Sequence, residues 1–179
     1  GADHQSSEHD SALRNKPGSL QHGRLEKLDI ATSLPATDLS DAKVRFAFRS
    51  QCFYSALDTL GLCQFVWGPS WQLYGPSETV ELVRAGTGWQ ATMEELLEIG
   101  ERKINLMRAF NAREGMGKAA DVLPKKLFQP LAGKGPTAGV ALTTEEFEHA
   151  RESYYRLAGW DPATGYPTPA KLRDLGLDW

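Results

Sequence analysis

Two long segments of the chain carry apolar residues at helical spacing. The first segment begins at Ser40, a residue that can cap a helix, and its pattern ends near Leu60. The second segment predicts the longest helix, about Met93 to Arg113, because Thr92 and Glu95 form a capping box ahead of it. The apolar positions that define the two helices are Val44, Phe46, Ala47, Phe53, Ala56 and Leu57, and then Leu96, Leu97, Ile104, Met107 and Phe110.

Three shorter helices are predicted from a capping residue at one end and a glycine at the other. The capping residue and the glycine are Ser77 and Gly86, Thr143 and Gly159, and Thr168 and Gly176. No segment shows the alternating pattern of a half-buried strand. The predicted fold is therefore all-α, with an orthogonal multi-helix bundle.

Residues 1–39 differ from the rest of the chain because they are polar and rich in turn-forming residues. They are predicted to be an irregular connector from an upstream domain. Residues 40–179 are predicted to form a helical C-terminal domain.

Composition limits the classes of function. The 179 residues include 41% hydrophobic residues, which is enough for the core of one domain, and carry a formal net charge of -3. This net charge gives no indication of the excess positive charge with which proteins bind nucleic acid. No apolar run approaches the roughly 20 residues that cross a bilayer, so neither nucleic acid nor a membrane is a predicted partner.

Two cysteines, Cys52 and Cys63, lie on largely helical sequence. On a continuous helix their Cα atoms would be about 16 Å apart, whereas a disulfide requires about 7 Å or less. Both are predicted to be reduced thiols in a cytoplasmic protein.

The stretch "ALDTLGLCQF" places a carboxylate, a glycine and a thiol in the pattern Asp58-x-x-Gly61-Leu62-Cys63. Cys63 is either a packed apolar residue or one ligand of a metal site, which other polypeptide would have to complete. Asp58 either faces solvent or accepts hydrogen bonds from a ligand rich in N–H groups. Gly61 either ends the helix or lets backbone approach a ligand closely.

The same stretch resembles the Asp-x-x-Gly-Leu-Cys motif of the aldehyde ferredoxin oxidoreductases, which carry a tungsten or molybdenum bis-pterin cofactor. The resemblance continues through "GTGWQATMEELLEIGERKINLMRAFNAREG", "DVLPKKLFQPL" and "YYRLAGWDPATGYPTPAKLRDLGL". It covers the chain from about Ala42 to the end.

The resemblance implies a role for each residue of the motif. Asp58 would accept hydrogen bonds from one pterin, and Gly61 and Leu62 would bring backbone against the cofactor. Cys63 would be the fourth ligand of a 4Fe–4S cluster. The family's N-terminal pterin domain and its Cys-x-x-Cys-x-x-x-Cys segment are absent from this chain, so upstream domains would complete both cofactors.

The first residues, "GADH", look like the family's Arg-Gly-Ala-Asp-His element without its arginine. His4 would then match a histidine beside the metal and act as an acid–base group, a role that suits an imidazole. The alternative is that "GADH" belongs to a linker.

The resemblance thus implies the C-terminal part of an enzyme, inactive alone, that oxidises aldehydes to carboxylic acids and passes electrons to ferredoxin. Upstream domains, ferredoxin and the aldehyde are the expected partners, and a homodimer is an expected assembly. The rival hypothesis is a cofactor-free helical interaction module that binds through the aromatic loop Phe65–Tyr74. Both hypotheses expect Trp67 and Trp71 to be exposed in the isolated chain.

Overall fold

The computed structural model describes residues 6–14, 16–30 and 34–177. These residues form six α-helices, which are α1 (Leu20–Glu26), α2 (Asp41–Thr59), α3 (Pro76–Thr87), α4 (Met93–Arg113), α5 (Thr144–Ala158) and α6 (Pro169–Asp174). Short 3-10 helices span Asp10–Arg14, Lys118–Ala120 and Lys125–Phe128. Extended pairing within the described ranges consists of two isolated bridges, Trp67 with Tyr74 and Trp160 with Pro167. The predicted all-α, multi-helix class is confirmed. No helix in these ranges is long and apolar enough to pass through a bilayer.

The capping box predicted ahead of α4 is present. The Thr92 hydroxyl accepts a hydrogen bond from the Glu95 amide at 3.3 Å, and the Glu95 carboxylate accepts one from the Thr92 amide at 2.7 Å. The box satisfies backbone N–H groups that have no partner within the helix, and α4 spans Met93–Arg113 as predicted.

The predicted bounds of α3 were wrong at both ends. Pro76 occupies its first turn, where a missing N–H costs nothing, and the Glu78 carboxylate accepts from the Gly75 amide at 2.9 Å. Gly75, not Ser77, is therefore the N-cap. The helix ends at Thr87 because Gly88, with φ 75°, adopts the left-handed conformation that stops it.

Helices α2 and α4 pack against each other at the centre of the domain, and their backbones are in close contact at Gly100. A Cβ atom on Gly100 would lie 1.7 Å from the carbonyl oxygen of Cys52 and 3.0 Å from the amide nitrogen of Ala56. Both are backbone atoms of α2, so neither can move aside as a side chain could. The core around this contact consists of Ala12, Leu13, Leu25, Leu28, Ile30, Phe46, Phe48, Cys52, Phe53, Tyr54, Leu57, Leu97, Ile104 and Ala158.

The N-terminal segment contains more structure than its composition predicts. It includes α1 and a 3-10 helix, and five of its side chains belong to the core just described. Leu25 and Leu28 lie three residues apart, but Ala12, Leu13 and Ile30 do not continue that spacing, so the segment shows no sustained helical pattern. The described part of this segment is a structural layer of the domain as well as a connection.

Arg24, on α1, fixes the aromatic loop that follows α2. Its guanidinium donates to the carbonyl oxygens of Ser70 at 3.1 Å, Gln72 at 2.6 Å and Leu73 at 3.0 Å. A planar guanidinium suits three diverging carbonyl acceptors because its donors have a fixed geometry. The loop is therefore held by the N-terminal segment.

We expect Gly100→Ala to destabilise the domain, because its methyl group would overlap backbone that can move only if α2 and α4 separate. Forced overpacking costs typically ~1–3 kcal/mol and occasionally more. Thermal unfolding of the variant and parent measures this cost. Gly86→Ala is the matched control, since nothing lies within 4 Å of a Cβ at that helical position, and it should be neutral or mildly stabilising. Equal melting temperatures for Gly100→Ala and the control would contradict the close contact.

Candidate functional site

The turn after α2 is a Schellman motif. The Leu62 amide donates to the Leu57 carbonyl at 2.9 Å, and the Gly61 amide donates to the Asp58 carbonyl at 3.1 Å. Gly61 has φ 70°, which glycine adopts without strain. A Cβ at this position would find no atom within 4 Å, so the backbone here has an open side. Gly61 therefore ends the helix and also leaves room for another molecule to approach.

Cys63 is exposed, whereas Cys52 is buried in the core. The interpretation of Cys63 as a packed apolar residue is therefore wrong. Burial raises the pKa of the Cys52 thiol, with a smaller contribution from the charge of Glu101, and this thiol stays protonated. Both cysteines are free, as predicted.

The backbone of Cys63 is held even though its thiol is exposed. Its carbonyl accepts hydrogen bonds from the amides of Val66 at 3.0 Å and Trp67 at 2.9 Å. Leu62, the preceding residue, packs its side chain against the main core. The turn thus presents a thiol to solvent from a well-anchored segment.

The Asp58 carboxylate is also exposed at the surface. One oxygen accepts from the Gln64 amide at 2.7 Å, and the other pairs with the Lys103 ammonium of α4 at 2.7 Å. Side-chain exposure is 44% for Asp58 and 30% for Lys103, and ion pairs this accessible contribute about 0–1 kcal/mol. A ligand with N–H donors could therefore replace these partners at little cost. The Lys103 charge also offsets the unfavourable position of a carboxylate at a helix C-terminus.

The aromatic loop beside this turn is only partly solvated. Phe65 is 78% exposed and Trp71 is 53% exposed. Trp67, which was expected to be exposed, instead packs against the main core and against the Tyr74 ring at 4.6 Å. The most exposed apolar side chains of the loop are therefore Phe65, Trp71 and Leu73, the last of which is 71% exposed.

A groove of about 520 Å³ lies between the aromatic loop and the N-terminal segment. It is lined by Glu8, His9, Ser11, Tyr54, Gln64, Phe65, Trp71 and Gln72. Glu8 is a buried carboxyl group that the sequence analysis missed, because it lies in a polar segment with no helical period. Gln64 lines the groove and also bonds Asp58, so the groove adjoins the Asp58–Cys63 turn.

His4 lies outside the described residues, so its position relative to this turn stays a prediction. Within residues 6–14, 16–30 and 34–177, no three His, Cys, Asp or Glu side chains converge on a point that could hold a metal ion. The described residues offer a single exposed cysteine thiol at this turn. This donor set fits a cluster that is shared with other polypeptide, and does not fit a metal site complete in itself.

A partly buried charge cluster lies away from the turn and has a structural role. The Arg108 guanidinium bonds both Asp121 oxygens and donates to the Gly165 carbonyl at 2.7 Å, and it stacks 4.4 Å from the Trp160 ring. Burial opposes ionisation of Asp121, but hydrogen bonds from Arg108 and Tyr155 outweigh it and lower the pKa of that carboxyl. The cluster fixes the loop after α4 against α5.

Comparison with known proteins places the whole described chain in one family. The family described as "Aldehyde ferredoxin oxidoreductase, domains 2 & 3" matches residues 1–177. The match therefore extends the resemblance through the N-terminal segment that holds the groove.

Two curated relatives are tungsten-containing aldehyde ferredoxin oxidoreductases. The protein from Pyrococcus abyssi is 33% identical over 143 residues, or 79% of this chain and 22% of the relative. The protein from Pyrococcus furiosus is 33% identical over 142 residues, or 78% of this chain and 22% of the relative. This chain thus matches less than a quarter of the length of either relative.

A solved structure shares the fold. The "Active site complex BamBC of Benzoyl Coenzyme A reductase in complex with 1,5 Dienoyl-CoA" matches with a TM-score of 0.64 and 23% sequence identity. The match covers 91% of this chain and 22% of that one. At this identity the similarity supports the fold alone.

Proposed function

The chain belongs to the aldehyde ferredoxin oxidoreductase family, and from that premise we propose that it is the C-terminal helical part of a larger oxidoreductase. The complete enzyme would oxidise aldehydes to carboxylic acids and pass the electrons to ferredoxin. The observation behind this proposal is an exposed thiol, Cys63, on an anchored turn that also carries the exposed carboxylate of Asp58. A thiol and a carboxylate of this kind have no packing role of their own.

Cys63 is proposed to be one ligand of a 4Fe–4S cluster. Its exposure supports this role, because a ligand that completes a shared cluster must face the other polypeptide. The hydrogen bonds to its carbonyl hold its backbone in place without using the thiol. When bound, the cluster and a tungsten- or molybdenum-bis-pterin would supply the electron transfer and the oxidation chemistry. The name of the relatives favours tungsten.

Asp58, Gly61 and Leu62 are proposed to bind the pterin. An ionised carboxylate only accepts hydrogen bonds, so Asp58 suits the amino and ring N–H groups of a pterin. Gly61 has no side chain to obstruct a ligand on its open side. Leu62 fixes the turn by packing inward, which leaves its backbone for the cofactor.

The rest of the enzyme is proposed to cover the exposed side of the aromatic loop. Phe65, Trp71 and Leu73 form the apolar surface expected of a rival, cofactor-free interaction module. Membership in an enzyme family with much longer relatives favours upstream domains of the same enzyme as the partner of this surface. A cytoplasmic location and a homodimer remain proposals on the same basis.

Cys63→Ala in the complete enzyme should lower iron content and alter the EPR signal of the cluster, because one thiolate ligand is lost. Cys52→Ala is the matched control, since it removes the buried thiol and leaves the cluster ligand in place. Metal analysis and EPR spectroscopy measure both variants. If Cys63→Ala retains the iron content and signal of the parent, Cys63 is not a cluster ligand.

Asp58→Asn should weaken pterin retention without unfolding the helices, because the amide turns one acceptor into a donor that faces a donor. Loss of such a bond costs on the order of 1–3 kcal/mol. Lys103→Ala is the control, since it removes the ion pair with Asp58 and keeps the acceptor. Pterin content is measured by extraction and fluorescence. A loss of pterin that is equal in both variants would assign the effect to the ion pair.

His4 is proposed as an acid–base group near the metal, on the basis of the "GADH" element alone. His4→Ala should then lower turnover by ~10²–10⁴-fold while metal and pterin contents stay unchanged. His149→Ala is the control, because His149 is 57% exposed on α5, where it pairs with Asp41, and lies in no family motif. Steady-state aldehyde oxidation measures the effect. If His4→Ala turns over aldehyde as fast as His149→Ala, the "GADH" element is a connector and His4 has no catalytic role.

A further inference from the structure

A long surface loop precedes α5 and is basic. Residues 122–142, named here the lysine loop, include Lys125, Lys126 and Lys134 and contain no arginine, aspartate or glutamate. All three lysines are exposed. Because the whole chain has a net charge of -3, the charge of +3 on this loop leaves -6 on the rest. The lysine loop is therefore a basic surface on an acidic chain, and the proposed function gives it no role.

Backbone hydrogen bonds hold the lysine loop in a defined conformation. The Leu131 amide donates to the Val140 carbonyl at 2.9 Å, and the Gly139 amide donates to the Leu131 carbonyl at 2.9 Å. Nearer the base of the loop, the Leu142 amide donates to the Leu127 carbonyl at 3.1 Å. The two arms of the loop are thus paired with each other. A partner can bind such a loop without the entropic cost of ordering it.

Apolar side chains are exposed among the lysines of this loop. Leu127 is 44% exposed, Leu131 is 53% exposed and Val140 is 37% exposed. Phe128 behaves differently, because its ring packs edge-on against the Phe147 ring of α5 at a centroid distance of 6.0 Å. The loop thus packs through one aromatic ring and leaves aliphatic side chains in solvent. Exposed apolar side chains within a polar rim are typical of a protein interaction site.

The lysine loop begins at the helix that also supports the candidate turn. Asp121, the residue before the loop, is bound by the Arg108 guanidinium of α4. Lys103, which pairs with Asp58 near the turn, lies five residues before Arg108. This spacing corresponds to about 7.5 Å along the helix axis. The same half of α4 therefore supports both the turn that carries Cys63 and the start of the lysine loop.

The composition of the loop indicates the chemistry of its partner. Three ammonium groups without a carboxylate attract an acidic surface. The apolar side chains among them favour a protein over nucleic acid, and the charge of -6 on the rest of the chain would repel an anionic membrane. Lysine is depleted in the cores of stable interfaces, whereas it suits a surface to which charge steers a partner. The loop therefore fits an acidic protein that binds transiently.

We propose that the lysine loop is the docking surface for an acidic electron-carrier protein. Lys125 and Lys126 attract this partner, and Leu127 and Leu131 contact it. The acidic chemistry of the partner follows from the loop. Its role as an electron carrier rests on the proposed function, in which the electrons released by aldehyde oxidation pass to ferredoxin.

The test is steady-state reduction of an acidic ferredoxin by the complete enzyme during aldehyde oxidation. The double variant Lys125→Glu/Lys126→Glu should raise the KM for ferredoxin about tenfold or more at low salt, because charge steering changes association rates by about 10–10³-fold. Its kcat should stay close to that of the parent. The difference in KM should disappear near 1 M salt, where the Debye length is about 3 Å. With benzyl viologen, a small dye, as the acceptor, variant and parent should turn over equally.

Lys16→Glu/Lys27→Glu is the matched control, because it makes the same change in net charge at two exposed lysines outside the loop. The inference is overturned if the loop variant and this control have the same KM for ferredoxin. It is also overturned if the loop variant loses iron or pterin, which would assign the loop to contact with the rest of the enzyme. Binding of phosphatidylserine vesicles that depends on Lys125 and Lys126 would overturn it in favour of a membrane.

The docking surface can be tested separately from the proposed function. If the complete protein oxidises no aldehyde with either acceptor, the proposed function fails. Calorimetric binding of the ferredoxin at low salt then tests the loop alone. Binding by the parent that is at least tenfold weaker in Lys125→Glu/Lys126→Glu supports the docking surface, whereas no binding, or equal binding by both, overturns it.

Discussion

The close approach of α2 and α4 at Gly100 is the constraint on which the rest of the structure depends. Because backbone meets backbone there, the two helices have little freedom to shift past one another. Lys103, less than one turn further along α4, is thereby placed beside Asp58 near the end of α2. The turn that carries Cys63 begins immediately after that ion pair. A glycine in a helix interior is normally unfavourable, and here it sets the position of the candidate site.

Within the turn, neighbouring residues divide the structural and chemical roles. Leu62 packs inward and Gly61 reverses the chain, whereas the side chains of Asp58 and Cys63 remain exposed. Exposed groups on an anchored backbone can bind a partner without the entropic cost of ordering a mobile loop. The N-terminal segment adds the groove, with Arg24 and Glu8 joining it to the aromatic loop and to α2.

Helices with a complete capping box could be predicted from local signals in the sequence. Features that depend on contacts between distant parts of the chain could not. The capping box at Thr92 gave the start of α4 because its hydrogen bonds are formed within one turn. The start of α3 was missed because Pro76 and Glu78 favour Gly75 as the cap over Ser77. The contact of Gly100 with Cys52 joins distant parts of the chain and leaves no local pattern. Glu8 was missed for the same reason, whereas Asp58 and Cys63 were found through a family motif.

Iron-edge anomalous diffraction from crystals of the complete enzyme tests the central claim most directly. The central claim is that Cys63 supplies one ligand to a cluster that other polypeptide completes. The account predicts an iron peak bonded to the sulfur of Cys63, with three cysteines from outside this chain as the remaining ligands. A cluster held by four other cysteines, with the Cys63 thiol free, would contradict it.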